Sequence, residues 1–152
     1  MEALETFRRV FTGFAVAVSD GGVGTNTMIV RDRHPDQPLA IAGLTRSSSQ
    51  SNLYLGLATN NAWSWGKELN KTRDEYITAI GRGLGQTGAH EFIHQIYFEA
   101  NEHDRHSRNG DYINWSAPPG SSERFPWQLS YGQQKLPGEI FEFLKTRIPY
   151  GN

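Results

Sequence analysis

The sequence contains no cysteine in its 152 residues. This absence excludes a disulfide scaffold, an iron–sulfur site, a thiolate zinc finger and a cysteine nucleophile. No apolar run approaches the ~18 residues that a membrane-spanning helix needs. The first residues, MEALETFRRVF, are acidic where a signal peptide has a basic start and an apolar run. The sequence therefore predicts no membrane association.

The chain also lacks a large excess of charge of either sign. Fifteen Lys and Arg residues stand against sixteen Asp and Glu, which gives a net charge of −1. Binding to nucleic acid leaves a basic excess, so we expect no nucleic-acid partner. With 37% hydrophobic residues, the composition is typical of a soluble globular chain, and its length suffices for one core. We expect a single domain over residues 1–152 and a monomer.

The spacing of apolar residues predicts an α+β fold. Predicted helices cover 3–12, 73–81 and 83–100, and a last helix begins at Pro137. Predicted strands cover 14–18, 27–30, 39–42 and 52–58, whereas 31–38 and 43–50 are predicted loops and 101–131 is predicted to be irregular. Thr72-Arg73-Asp74-Glu75 fits a capping box, which marks the start of a helix. The last helix has one apolar face, formed by Leu136, Ile140, Leu144 and Ile148.

Four of the five histidines lie close together, at positions 90, 94, 103 and 106. The first two belong to the pattern HExxH, in His90-Glu91-Phe92-Ile93-His94. On a helix, residues four apart project from the same side, so both imidazoles can bind one Zn²⁺. Glu91 points about 100° further round, where it can reach a water without binding the metal. An apolar stripe beside this face packs the helix on the core, and it consists of Ala89, Ile93, Ile96 and Ala100.

The segment Thr87–Gln95 resembles the active-site helix of the zincin metallopeptidases. Ala42–Thr45 and Ser51–Leu55 are similar to the part of the metzincins that leads into the cleft-edge strand. Gly110–Trp115 and the segment from Leu129 into the last helix are similar to the closing subdomain of small bacterial members. The resemblance implies a zincin-like α+β fold, with a small mixed sheet packed on the active-site helix in residues of about 1–100. A short irregular subdomain, about 101–152, would end in a helix.

The sequence departs from the standard metzincin pattern at three points. The family's Gly and third His after the second histidine are replaced by Tyr97 and Ala100. The methionine of the family's Met-turn is also missing, because the chain has only Met1 and Met28, and Ile113 is our candidate for that place. The resemblance therefore indicates a zincin with metzincin-like features.

The third metal ligand is open on the sequence alone. His106 is our first candidate, because five residues after Asn101 let the chain reverse and return by one turn. His103 competes with it, since the following Asp104 resembles the acidic neighbour of a metzincin third ligand. A carboxylate, from Asp104 or Asp111, is the remaining alternative.

The resemblance implies a zinc-dependent metallopeptidase with one catalytic Zn²⁺, which cuts a peptide or protein substrate. Glu91 would be the general base for a zinc-activated water. Tyr112 and Tyr131 are candidates to assist, although both also suit packing. The strand from Asn52 would lie at the cleft rim and pair with the substrate, which makes Asn52 and Tyr54 candidate substrate-binding residues.

Other functions compete with the peptidase hypothesis. A metal-stabilised protein-binding module without catalysis is one alternative, and a zinc amidase acting on cell-wall peptide is another. Gly83–Gly88 matches the dinucleotide pattern GxGxxG, but no strand–helix–strand periodicity surrounds it, so we interpret these glycines as packing points of the metal helix against the sheet. The location stays open between a cytoplasmic enzyme and part of an exported bacterial effector.

Overall fold

A computed structural model describes residues 1–20, 24–37, 43–101, 136 and 138–151, with residues 61 and 64–69 described by their backbone alone. It shows a mixed α+β arrangement of four helices and three strands in these residues, as the sequence predicts at this level. The elements in chain order are α1 (Glu2–Val10), β1 (Thr27–Arg31), β2 (Gly43–Ser47), β3 (Gln50–Tyr54), α2 (Leu55–Leu69), α3 (Arg73–Ala100) and α4 (Gly138–Lys145).

The three strands form a mixed sheet in the order β1-β3-β2. β1 pairs with β3 in parallel, with Ile29 opposite Asn52. β2 pairs with β3 antiparallel, with Thr45 opposite Ser51 and a bulge between Thr45 and Ser47. β3 is therefore the central strand of the described sheet, and α3 contacts both β2 and β3.

The structure corrects the predicted boundaries around this hairpin. The segment 43–50 was predicted as a loop but contains β2, because its backbone pairs with β3 across a two-residue turn at Ser48 and Ser49. The strand predicted over 52–58 ends at Tyr54, and α2 begins at Leu55. The backbone N–H of Gly56 donates to the carbonyl of Asp32 (2.7 Å) and so anchors the first turn of α2.

The predicted strand at 14–18 does not form. Only Phe14 makes a bridge, with Tyr150, and Ala15 N donates to the carbonyl of Pro149 (2.8 Å). These hydrogen bonds join the segment after α1 to the segment after α4. They form a single β-bridge and not the continuous pairing of a strand. The strand predicted at 39–42 lies outside the described residues.

α3 is one continuous helix over the 28 residues Arg73–Ala100, where two helices were predicted. Its glycines do not break it, because they let α1 approach closely. A Cβ at Gly85 would clash with the backbone of Ala3 and lie 2.7 Å from Thr6 Cβ, and one at Gly81 would lie 2.8 Å from Glu2 Cβ. Gly85 therefore packs α3 against α1 and not against the sheet, which corrects the prediction there. Gly88 faces both, since a Cβ on it would lie 3.4 Å from Phe7 and 3.5 Å from Leu53 of β3. Tertiary contact outweighs the weak helix propensity of glycine.

The core lies between α1, α3 and α4 and is rich in aromatic rings. Phe11 and Phe92 meet edge to face at 5.2 Å between ring centroids, and Phe7 contacts both rings. The predicted apolar stripe of α3 is confirmed at Ala89, Ile93 and Ile96, which are buried, whereas Ala100 at the end of the helix is half-buried. The predicted face of the last helix is also buried at Ile140, Leu144 and Ile148. Within the described part of the chain, no helix has the length and apolar content needed to cross a membrane.

Candidate metal centre

The histidine pair lies on α3, one helical turn apart. His90 is 7% exposed and His94 is half-buried. Their Nε2 atoms approach to 3.1 Å, and the ring planes are inclined at 67° with centroids 4.9 Å apart. The four-residue spacing on a helix thus directs both rings to one point, as the sequence predicts.

The separation of the two nitrogens fits a shared zinc ion. Two nitrogens that each bind Zn²⁺ at ~2.0–2.1 Å and lie 3.1 Å apart subtend roughly 100° at the metal, near the tetrahedral angle. A hydrogen bond from one ring nitrogen to the other has the same distance. Among the described residues, His90, Glu91 and His94 form a group whose candidate ligand atoms lie within 4.8 Å of one another.

The carboxylate of Glu91 is held against β2. Thr45 Oγ1 donates to Glu91 Oε2 over 2.6 Å and also lies 3.0 Å from the backbone carbonyl of Glu91. A Cβ at Gly43 would lie 2.5 Å from Glu91 Oε1, so the carboxylate occupies the space over this glycine. Glu91 is only 5% exposed. The strand therefore fixes the acidic side chain beside the two imidazoles.

A chain of hydrogen-bonded polar side chains, half-buried at Thr45 and Asn26 and buried between them, continues from Glu91 to the residue before β1. Thr45 Oγ1 lies 2.8 Å from Ser51 Oγ, which accepts from Gln95 Nε2 over 2.7 Å. Gln95 Oε1 in turn accepts from Asn26 Nδ2 over 2.7 Å. Ser51 and Gln95 are fully buried. We call these four residues, Asn26, Gln95, Ser51 and Thr45, the amide–hydroxyl relay.

The other predicted ligands and helpers lie outside the described residues. The candidates for third ligand, and the two tyrosines that would assist catalysis, all fall within 102–135, namely His103, Asp104, His106, Asp111, Tyr112 and Tyr131. Their roles therefore stay predictions. The remaining histidine, His34, stabilises a local turn, because its Nδ1 accepts hydrogen bonds from the backbone N–H groups of Asp36 and Gln37, both at 3.2 Å.

The two predicted substrate-binding residues lie in the central strand. Asn52 and Tyr54 are 7% and 3% exposed, and both edges of β3 are occupied by other strands. The backbone of β3 already pairs with β1 and β2, so it cannot also pair with a substrate. The expectation that this strand forms the cleft rim is therefore wrong. The Tyr54 ring packs edge to face on His34, at 5.1 Å between centroids.

The sequence analysis missed the residues that hold Glu91. Thr45 and Ser51 are separated from Glu91 by 46 and 40 positions, so no local spacing connects them. Gln95 offered the one usable signal. It is an amide next to His94 on a helix whose neighbouring positions are apolar, and a buried amide requires hydrogen-bond partners.

A separate cavity lies on another face of α3. Its volume is about 770 Å³, and it is lined by the segments 15–20 and 24–26 together with residues of α1, β1 and α3. Phe7, Met28 and Phe92 are among its lining residues, whereas none of His90, Glu91 and His94 is. The histidine pair is therefore not part of this cavity.

No protein-family model, curated protein or solved structure matches the chain. The assignment to the zincins therefore stays a prediction from the HExxH segment and its geometry.

Proposed function

We propose that this protein is a zinc-dependent metallopeptidase. The observation that carries the proposal is the convergence of His90 Nε2 and His94 Nε2 at 3.1 Å, with the Glu91 carboxylate held beside them by a strand. Two histidines one helical turn apart suit a catalytic zinc site, which is completed by a third protein ligand and a position for water. The third ligand in this proposal is His106 or His103.

The residues divide the chemistry between them. A bound zinc ion supplies Lewis-acid activation of a water molecule and of the scissile carbonyl. Glu91 would accept a proton from the attacking water and later donate it to the leaving amine. A purely structural metal site has no use for a buried carboxylate that the chain orients so closely, so the held Glu91 favours a hydrolase over a binding module.

The substrate-binding strand in this proposal is β2 rather than β3. Among the described strands, β2 forms one edge of the sheet. Gly43 and Thr45 of this strand contact Glu91. An extended peptide that adds to this edge through its backbone would pass the carboxylate. The substrate class is therefore an extended peptide or an unfolded protein segment.

Zinc content and cleavage of an unstructured protein, measured on matched variants, test the proposal. We expect about one zinc per chain in the wild type and in Glu91→Gln, and a large loss of zinc in His94→Ala. Cleavage should stop on chelation and fall by roughly 10²- to 10⁴-fold in Glu91→Gln. His34→Ala is the control, since it removes a histidine whose ring bonds backbone amides elsewhere, and it should retain both zinc and cleavage.

Each alternative gives a different result in the same experiment. Zinc binding without any cleavage would indicate the binding module, and hydrolysis of cell-wall peptide alone would indicate the amidase. Equal zinc content in His94→Ala and the wild type would rule out the site. Comparing His103→Ala with His106→Ala for zinc retention identifies the third ligand.

A further inference from the structure

We propose that Thr45 is a positioning residue for the hydrolysis described above. In this inference, which rests on the proposed function, the Thr45 hydroxyl orients the Glu91 carboxylate beside His90. The amide–hydroxyl relay fixes the direction in which that hydroxyl donates. The hydrogen bonds of the relay carry the inference, beginning at the end farthest from Glu91.

A backbone carbonyl sets the orientation of both amides. Asn26 Nδ2 lies 2.8 Å from the carbonyl oxygen of Ser48, which can only accept, so this atom is the nitrogen of the amide. The same nitrogen donates to Gln95, and the Gln95 atom that faces it is therefore the oxygen, Oε1. Gln95 Nε2 then faces Ser51 Oγ, and it also lies 3.4 Å from the carbonyl of Thr27, a second group that only accepts.

The two hydroxyls transmit this direction to the carboxylate. Thr45 Oγ1 lies within hydrogen-bond distance of two acceptors of Glu91, the carboxylate Oε2 at 2.6 Å and the backbone carbonyl at 3.0 Å, so the Thr45 proton is directed to Glu91. With that proton used, Ser51 Oγ, which accepts from Gln95, donates its own proton to Thr45 Oγ1 at 2.8 Å. The 2.6 Å distance to Oε2 matches the ~2.5–2.7 Å of a hydroxyl that donates to a carboxylate. Each hydrogen bond of the relay thus points toward Glu91.

The chemistry of the relay favours orientation over proton transfer. Two of its four members are amides, which donate hydrogen bonds but do not exchange protons readily with a neighbour. The central pair, Ser51 and Gln95, is fully buried. Water therefore does not compete for the hydrogen bond between Gln95 and Ser51. What the relay supplies to Glu91 is a fixed donor, which holds one carboxylate oxygen on the β2 side.

The kinetic test compares two substitutions of Thr45. Thr45→Val keeps the shape of the side chain and removes the hydroxyl, whereas Thr45→Ser keeps the hydroxyl. We expect Thr45→Val to lower kcat for peptide cleavage by roughly 10- to 100-fold through misplacement of Glu91. KM and zinc content should change less than about twofold, because neither depends on Glu91 in this proposal. Thr45→Ser should restore most of kcat, and equal kcat in the two variants would overturn the proposal.

A second measurement does not depend on activity. The urea midpoints of the chelator-treated wild type, Thr45→Val, Glu91→Ala and the double variant form a thermodynamic cycle. We expect the shift of the double variant to be smaller than the sum of the single shifts, because both changes remove the same hydrogen bond. Thr12→Val is the matched control, since the Thr12 hydroxyl donates only to the carbonyl of Arg9, and it should be additive with Glu91→Ala.

The two measurements separate this inference from the function on which it rests. If the wild type cleaves no peptide, the proposed function is wrong, while the unfolding cycle still decides whether Thr45 holds Glu91. Additive shifts for Thr45→Val and Glu91→Ala would overturn the inference even in an active peptidase.

Discussion

At the scale of single residues, Gly43 controls the space that Glu91 occupies. A Cβ at this position would lie 2.5 Å from Glu91 Oε1 and 2.8 Å from its Cδ. Glu91 Cγ would also lie 2.7 Å from that Cβ, so relieving the clash requires the whole Glu91 side chain to move. Strand β2 would keep its course, whereas the carboxylate would leave its position beside the imidazoles.

We therefore predict that Gly43→Ala damages activity more than it damages stability. The free energy of unfolding should fall by about 1–3 kcal/mol, the range for losing a hydrogen bond to a charged group. Peptide cleavage should fall by roughly 100-fold because the general base is displaced, while zinc content stays near the wild-type value. Urea unfolding, peptide cleavage and metal analysis measure these three effects.

Gly138→Ala is the control for that prediction. Among the described residues, no atom lies within 4 Å of a Cβ built at Gly138, so this variant changes a glycine without a clash there, and it should retain full cleavage. Wild-type cleavage in Gly43→Ala would show that the position of Glu91 against β2 is unimportant.

At the scale of elements, α3 is the helix that carries the histidine pair, and a capping box fixes its first turn. Glu75 N donates to Thr72 Oγ1 at 3.3 Å, and Thr72 N donates to Glu75 Oε2 at 2.8 Å. The Lys71 ammonium, which donates to Glu75 Oε1, and the amide and hydroxyl of Thr72 lower the pKa of Glu75 from 4.5 to about 2. The sequence motif therefore forms as predicted and gains a lysine partner.

This lowered pKa predicts how the stability of α3 depends on pH. Because folding lowers the pKa of Glu75, its ionised form stabilises the folded state fully above pH 4.5, and the contribution disappears as the pH falls toward about 2. The difference in unfolding free energy between wild type and Glu75→Gln should be constant above about pH 5 and shrink on acidification. Urea unfolding at several pH values between 2 and 7 measures it.

Lys71→Met is the control for the pH prediction. It removes the largest cause of the lowered pKa, so the loss of the Glu75 contribution should be complete at a higher pH. A difference that stays constant down to pH 2 would contradict the assignment of this bond network to Glu75.

At the scale of the whole molecule, α3 connects the described elements. It contacts α1, α2, β2 and β3, and its aromatic and aliphatic side chains form much of the core with α1 and α4. The candidate metal centre thus lies on the helix that contacts most of the other described elements. A ligand that binds this helix only in its folded position should stabilise the entire described domain.

We predict that zinc raises the melting temperature of the wild type. At a free zinc concentration of about 100 times Kd, linkage gives about 2.7 kcal/mol, which corresponds to a rise of roughly 5–10 °C for a chain of this size. Differential scanning calorimetry with and without zinc measures the shift. His94→Ala should show little or no shift, and an equal shift in that variant would mean that zinc stabilises the protein elsewhere.

At this scale too, sequence patterns predicted correctly the features that the geometry of a single helix determines. The HExxH spacing, the capping box, and the apolar faces of α3 and the last helix were all predicted correctly, since helical geometry fixes which side chains share a face. Errors arose where distant segments meet. Phe14–Val18 has the residues of a strand but no ladder, and Leu55–Leu57 continues a β-like run although it begins α2.

The sequence by itself determined the chemistry of this protein's candidate site, because a histidine pair and a glutamate at helical spacing must share one region of one helix. Only the tertiary structure decided how the glutamate is held. Thr45 reaches Glu91 across 46 positions of chain through helix–sheet packing, and Ser51 reaches Thr45 through strand pairing. Such pairing depends on the fit of whole elements, and no local spacing encodes it.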